Sequence, residues 1–265
     1  MMAVPGPAPL VLLIALAATS AAAEDRSPTP MERGESQRVA EVIDGDTLVL
    51  EDGTEVRLVG IQAPKLALGR ADFAAQPLAE EAKAALEAMT LGRLVALSYG
   101  GQRIDRWGRQ LAHLHDDSGR WIQGELLASG LARVYTFRDN TALAEAMLAA
   151  ERAARQGRLG IWADPFFEVR TVAETEALID TFQIVEGEVL DAAVVRGRAY
   201  LNFGADWRDD FTVTIAPKDR RAFENAGLDL EALAGRAIRV RGWLDSYNGP
   251  QIELTHPEQL EILGP

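Results

Sequence analysis

Two acids stand one glycine apart in Val42-Ile43-Asp44-Gly45-Asp46-Thr47, and Arg57 follows Asp46 by eleven residues. A second acid and arginine group lies in Asp105-Arg106-Trp107-Gly108-Arg109, and the segment Arg57-Leu58-Val59-Gly60-Ile61-Gln62-Ala63-Pro64-Lys65 adds an amide and a lysine. Guanidinium forks match the planar oxygens of phosphate and carboxylate. The chemistry open to Arg57, Lys65 and Arg109 is recognition of an anion, with Trp107 beside them. A plainer use is open to the same residues. Buried arginines are normally paired, and Arg57 and Arg109 would then tie Asp44, Asp46 or Asp105 into their loops.

Positioning these groups falls to short strands. Val39, Val42 and Ile43 lead into the Asp-Gly-Asp turn, Thr47 to Leu50 runs into the hairpin signal Asp52-Gly53, and Val56 to Ile61 returns as a third strand. Leu78, Ala82, Ala85, Leu86 and Met89 recur at helical spacing after Pro77, which predicts a helix over 77–90. Leu94 to Ser98 and Leu111 to His115 read as two more strands around the arginine-rich loop 101–110. Helices are expected at Trp121 to Ser129 and Thr141 to Gln156, the second with Leu143, Met147, Ala150 and Ala154 as its apolar stripe. Meander, helix and returning strands suggest a small closed barrel.

From Arg38 to Trp162 the chain resembles the staphylococcal nuclease (thermonuclease) family. The Asp-Gly-Asp-Thr turn, Val-Arg-Leu-Val-Gly-Ile, Ala63-Pro64, Asp-Arg-Trp-Gly-Arg and Gly130-Leu131-Ala132-Arg133-Val134 occur in the family's order. Each motif alone is weak; the ordered set is specific. The resemblance implies an OB-type barrel with added helices, a calcium ion held by two acids and a carbonyl, a glutamate that activates water, and two arginines on the phosphate. By position, Asp46 falls on one metal ligand, Asp44 on the neighbouring turn acid, and Arg57 and Arg109 on the two arginines. Gln62 falls on the second ligand and Lys65 on the general base. Gln62 keeps an oxygen for calcium but removes a negative charge. Lys65 has no acceptor lone pair, and its charge repels a divalent cation. Lys65 is therefore expected to pair with Asp46 and to replace the metal as the local positive charge.

The histidines add little. His113 and His115 share one side of a strand, where solvated side chains are the plainer expectation than a metal pair. His256 stands alone, and no Ser-His-Asp or Cys-His arrangement can be assembled.

Residues 165–181 read as a connection, and 182–265 as a second, OB-like barrel. Strands are expected at Val185 to Val189, Ala199 to Phe203, Phe211 to Ile215, Ile238 to Trp243 and Gln251 to Leu254, with a helical segment from Arg221 to Leu233. Among Tyr200, Phe203, Trp207, Phe211, Trp243 and Tyr247, core packing is the expected use of most, with Trp207 the best ligand-binding candidate. Arg239 and Arg241 alternate on one strand, which with these aromatics is the pattern of a stacking platform.

Leu10 to Ala18 is an apolar run ending at Ala21-Ala22-Ala23, the pattern of a signal peptide cleaved after Ala23, with an uncleaved anchor as the alternative. No later apolar run reaches spanning length, so no integral membrane span is expected after processing. Residues 24–37 are expected to be a mobile leader and 38–164 the nuclease-like domain. Cysteine is absent, so disulfides contribute nothing to the fold. The net charge is −13, with 18 basic and 26 acidic side chains in 24–181 and 9 and 14 in 182–265. That balance argues against strong sequence-indifferent DNA binding, which relies on counterion release by many cations.

The fold expected is mainly β with helices, two successive barrels in an exported, periplasmic or secreted protein. Its expected function is to bind a nucleic acid or other anionic ligand at a nuclease site altered at Gln62 and Lys65, with little or no calcium-dependent hydrolysis. The alternatives are a metal-dependent phosphodiesterase on DNA or RNA, using Asp46, Gln62 and a water oriented from loop 66–76, and an envelope protein that binds protein partners.

Overall fold

A computed structural model describes residues 31–206 and 208–264. The expected signal segment, the leader up to residue 30 and Trp207 lie outside the described residues. The first barrel is closed by β1 (Glu32–Asp44), β2 (Thr47–Leu50), β3 (Glu55–Leu58), β5 (Leu94–Tyr99) and β6 (Gln110–His115), in the order β1-β2-β3-β6-β5. Val42 opposite Leu48 and Leu48 opposite Val56 set the β1, β2 and β3 register, and all three side chains point into the core. The parallel pairing of β3 with β6 sets Arg57 opposite Leu111. Between β3 and β5 the chain forms the short β4 (Gly60–Gln62) and α1 (Ala79–Thr90). After β6 come α2 (Ile122–Ala128), β7 (Arg133–Tyr135), which pairs with β4, and α3 (Ala144–Gln156).

Several boundaries depart from expectation. Residues 32–37 belong to β1 and not to a leader: their backbone pairs with β5 from Glu32 opposite Tyr99 to Gln37 opposite Val95. Their side chains are largely exposed, so ladder hydrogen bonds hold them with little help from burial. Leu78 and Leu143 take left-handed backbone angles, so α1 and α3 begin later than the apolar pattern suggests. The segment 165–181 is built in: Phe167 is buried, and β8 (Arg170–Thr171) runs parallel to the first strand of the second domain.

The second domain keeps the OB order but is two sheets around one core, with no closed hydrogen-bonded cylinder among the described residues. Its strands are β9 (Phe182–Glu188), β10 (Asp191–Val195), β11 (Arg198–Asn202), β12 (Thr212–Ile215), β13 (Ala237–Trp243), β14 (Asp245–Ser246), β15 (Pro250–Leu254) and β16 (Leu260–Ile262). They form one sheet ordered β10-β11-β12-β15-β14 and another ordered β16-β13-β9-β8. Helix α4 (Pro217–Asn225) starts at a proline, whose missing N–H costs nothing at a first helical position. Gly227, at φ 75°, follows its end, and a separate short turn at Glu231–Leu233 replaces the expected continuous helix.

The two domains share a core and a charge network. Ala154, Ile161, Trp162 and Phe167 pack with Phe182 and Ile184 of β9. Arg241 of β13, fully buried, donates to both carboxylate oxygens of buried Glu151 of α3 at 3.0 and 2.9 Å and to Glu261 at 2.9 Å. Arg239 pairs with Glu186 and Glu261. The expected platform arginines are thus consumed inside the protein. No helix among the described residues is long and apolar enough to cross a membrane.

Candidate functional site

The turn between β1 and β2 builds the site. Asp44 accepts from the Asp46 amide at 3.0 Å, which tightens the turn and turns the Asp46 carboxylate inward. Gly45 permits the close approach that follows, since a Cβ there would lie 2.6 Å from the Cβ of Ala63 and 2.7 Å from that of Ala82. Asp46 has no solvent exposure. Its oxygens accept from the Ala63 amide at 2.7 Å, the Thr47 hydroxyl at 3.2 Å and the Lys65 ammonium at 2.9 and 2.8 Å, with Arg57 at 3.3 Å. Burial is the strongest influence on Asp46 and opposes its ionisation. The charges of Arg57 and Lys65, with the hydrogen bonds, outweigh it and hold the carboxyl well below the usual range. Asp44, more weakly paired with Lys65 at 3.5 Å, is shifted the other way by burial and by repulsion from Asp46.

Arg57 combines both expected uses. It pairs with Asp46 and donates to the carbonyls of Leu58 at 2.8 Å and Ile61 at 2.7 Å, which holds the β3 to β4 corner, and it also lines a groove. Gln62 points elsewhere. It stands opposite Arg133 in the ladder of β4 and β7, and its oxygen accepts from Arg133 Nε and Nη2 at 3.0 and 2.7 Å. Both lone pairs of the amide oxygen are then used. Arg133 in turn donates to the Phe182 carbonyl at 3.3 Å and lies 4.5 Å from the Phe182 ring. Burial pushes Arg133 down to about 10, against the support of Glu151.

The second arginine is oriented by its own turn. Asp105 accepts from the amides of Trp107 and Arg109 at 2.9 and 3.0 Å and from Arg109 Nε at 2.8 Å. This fixes the guanidinium by one edge. Trp107, 66 % exposed, carries Arg106 at 4.0 Å and Arg109 at 5.2 Å from its ring centre.

A groove of about 560 Å³ is lined by Arg57, Lys65, Arg106, Trp107 and Arg109 together with Tyr135, Phe137 and Asn140. Four sequence candidates therefore meet: Arg57, Lys65, Arg109 and Trp107. Asp44, Asp46 and Gln62 lie outside its lining. Tyr135 and Phe137 were missed; the alternation of buried Val134 and Thr136 with Tyr135 and Phe137 is the signal that would have found them. His113 is buried, where solvent was expected, and its Nδ1 accepts from Trp121 Nε1 at 3.3 Å.

The calcium implied by the family pattern does not fit the residues present. Lys65 Nζ lies within hydrogen-bond distance of both Asp46 oxygens, the Gln62 oxygen is taken by Arg133, and no group of three or more His, Cys, Asp or Glu side chains among the described residues is placed to hold a metal. Oxygen-rich, anionic coordination is what calcium requires.

Residues 55–164 match the family model described as staphylococcal nuclease homologue. The chain is 31 % identical over 134 residues to the thermonuclease of Staphylococcus hyicus, covering 49 % of this chain and 77 % of that protein. It is 30 % identical over 138 residues to the thermonuclease of Staphylococcus intermedius, with the same shares. To Endonuclease YhcR of Bacillus subtilis (strain 168) it is 27 % identical over 159 residues, 55 % of this chain and 13 % of that one. Closed barrel, ordered motifs and these likenesses agree: the chain belongs to the staphylococcal nuclease (thermonuclease) family.

Proposed function

We propose that this protein binds phosphate-bearing strands, nucleic acid first among anionic ligands, in the groove between Arg57, Lys65 and Arg109 and the rings of Tyr135 and Phe137, without calcium-dependent hydrolysis. The observation that carries this reading is the Lys65 ammonium seated on both oxygens of Asp46. An internal cation supplies the positive charge that answers Asp46. An ammonium engaged in this way has no lone pair with which to activate water. Arg109 donates to Asp105 through Nε, with Glu55 at 3.9 Å from the same nitrogen, which leaves its terminal nitrogens for a phosphate, and guanidinium groups suit that contact. Export, expected from residues 1–23, is part of the proposal; N-terminal sequencing of the protein recovered outside the cytoplasm should begin at Glu24.

The test compares the unaltered protein with Gln62→Asp/Lys65→Glu on single- and double-stranded DNA and RNA, in calcium, magnesium or chelator. The unaltered protein is expected to bind in chelator without cleavage, and the double variant to gain calcium-dependent cleavage. Metal-dependent cleavage by the unaltered protein that disappears in Arg109→Ala would remove the binding-only reading.

A further inference from the structure

We propose that the groove continues onto the second domain, with Trp243 as a stacking platform that receives a single-stranded nucleic acid running from the Arg57, Lys65 and Arg109 cations. This rests on the reading of that groove as a phosphate site. One of the bonds between the domains makes the connection: Trp243 Nε1 of β13 donates to the Tyr135 hydroxyl of β7 at 3.1 Å. Tyr135 lines the groove and meets Phe137 edge to face with ring centres 5.0 Å apart. Phe137, Tyr135 and Trp243 are therefore linked pairwise in a row that starts in the groove lined by the cations and ends on the second domain.

The row is fixed and uncovered at once. Trp243 lies opposite Phe182 in the ladder of β13 and β9, and Phe182 packs on Tyr135 at 4.8 Å. Yet Trp243 is 54 % exposed and Phe137 53 % exposed. An indole held by backbone pairing and by its own N–H, with much of its apolar area left in water, is preorganised for a ligand.

The chemistry of the ligand follows from what borders the row. Arg57, Lys65, Arg106 and Arg109 at one end match a phosphate backbone; of the groove acids, Asp105 is paired with Arg109, and Asp139 remains as a counter-charge. Flat rings accept any base through its π face, but only a base already out of a duplex stack. The chain's net charge of −13 opposes indiscriminate binding along any polyphosphate, so recognition falls to these local cations and rings.

The experiment is anisotropy with fluorescein-labelled oligothymidylates of increasing length, in chelator, on the full chain and on Arg109→Ala, Trp243→Ala and Trp243→Phe. Affinity is expected to rise with length to a plateau. Trp243→Ala should lose roughly ten-fold on long strands, equivalent to about 1.4 kcal/mol, and nothing on the shortest strand that binds. Trp243→Phe, which keeps a flat ring without the N–H, should recover most of the loss, and Arg109→Ala should weaken every length. Long-strand binding that falls in Arg109→Ala but ignores Trp243→Ala would overturn the extension and leave the groove reading standing. Absence of binding at any length, with self-association abolished by Trp243→Ala, would overturn both in favour of a protein interface.

Discussion

A carboxylate with no access to water persists only where its charge is answered nearby, and Asp46 is answered by Arg57 and Lys65 together. Removing one partner of a fully buried pair costs about 3–5 kcal/mol. Lys65 is 25 % exposed and Arg57 would remain, so Lys65→Met should cost less, about 1–2 kcal/mol in urea unfolding. Asp46→Asn/Lys65→Met should recover part of it; strict additivity in that double-mutant cycle would contradict the pairing. The pH dependence has a fixed sign. The folded Asp46 carboxyl is held below its ordinary 3.8, so its contribution is whole above that pH and fades below it. The gap between wild type and Lys65→Met should narrow accordingly in acid. Asp44, Asp46, Arg57 and Lys65 were legible in sequence because one turn and one short strand bring them together. The fate of Gln62 was not, since its partner Arg133 lies 71 residues on and is itself anchored to the Phe182 carbonyl of the other domain.

Turns and short ladders decide whether those residues meet. Gly45 lies at the crossing of the β1 to β2 turn, the Ala63 segment and α1, and the atoms a methyl group would strike are Cβ atoms fixed to backbone. Gly45→Ala should therefore cost about 1–3 kcal/mol, as overpacking does. Gly53, at φ 84° in the β2 to β3 hairpin, faces open space, and Gly53→Ala should cost only the backbone penalty of about 1–2 kcal/mol. The distinguishing measurement is oligonucleotide affinity at a temperature where both variants are folded: Gly45→Ala should lower it by displacing Asp46 from the Ala63 amide, and Gly53→Ala should not. Equal affinities would show that the turn does not set the site. The Asp52-Gly53 hairpin could be read from two residues, because the turn chemistry is local. Residues 32–37 could not, because an exposed, charged strand held mainly by its ladder leaves no apolar alternation. Nor was β10 anticipated: Asp191-Ala192-Ala193-Val194-Val195 has no turn-bounded alternation to mark it.

At the scale of the molecule the shared core and the buried ion pairs predict that the two domains unfold together. Arg241→Met would leave Glu151 ion-paired, among the described residues, with Arg155 alone and with Arg133 as a more distant positive charge, and a loss of about 3 kcal/mol in one cooperative transition is expected. Separate calorimetric transitions in the unaltered protein would refute that coupling. His256 joins the same boundary, with its Nε2 2.8 Å from the Thr136 hydroxyl and Thr255 on its other nitrogen at 2.9 Å. Burial pushes it down from 6.5 to about 4; Asp219 pulls it up and Arg241 pushes it further down. Burial, helped by His115, brings His113 to about 4 inside the first barrel. Both rings stay neutral in the folded state while the unfolded chain takes up protons, so stability is whole above about 6.5 and falls as pH drops toward about 4. Each histidine accounts for about 3 kcal/mol across that window. Asp44, raised by burial, has the opposite slope and offsets part of the loss near its lower end. Comparing urea midpoints of wild type and His256→Gln between neutral pH and pH 4 isolates the boundary histidine. The variant should start less stable at neutral pH and lose less on acidification, and parallel pH profiles would show that His256 is not held neutral between the two domains.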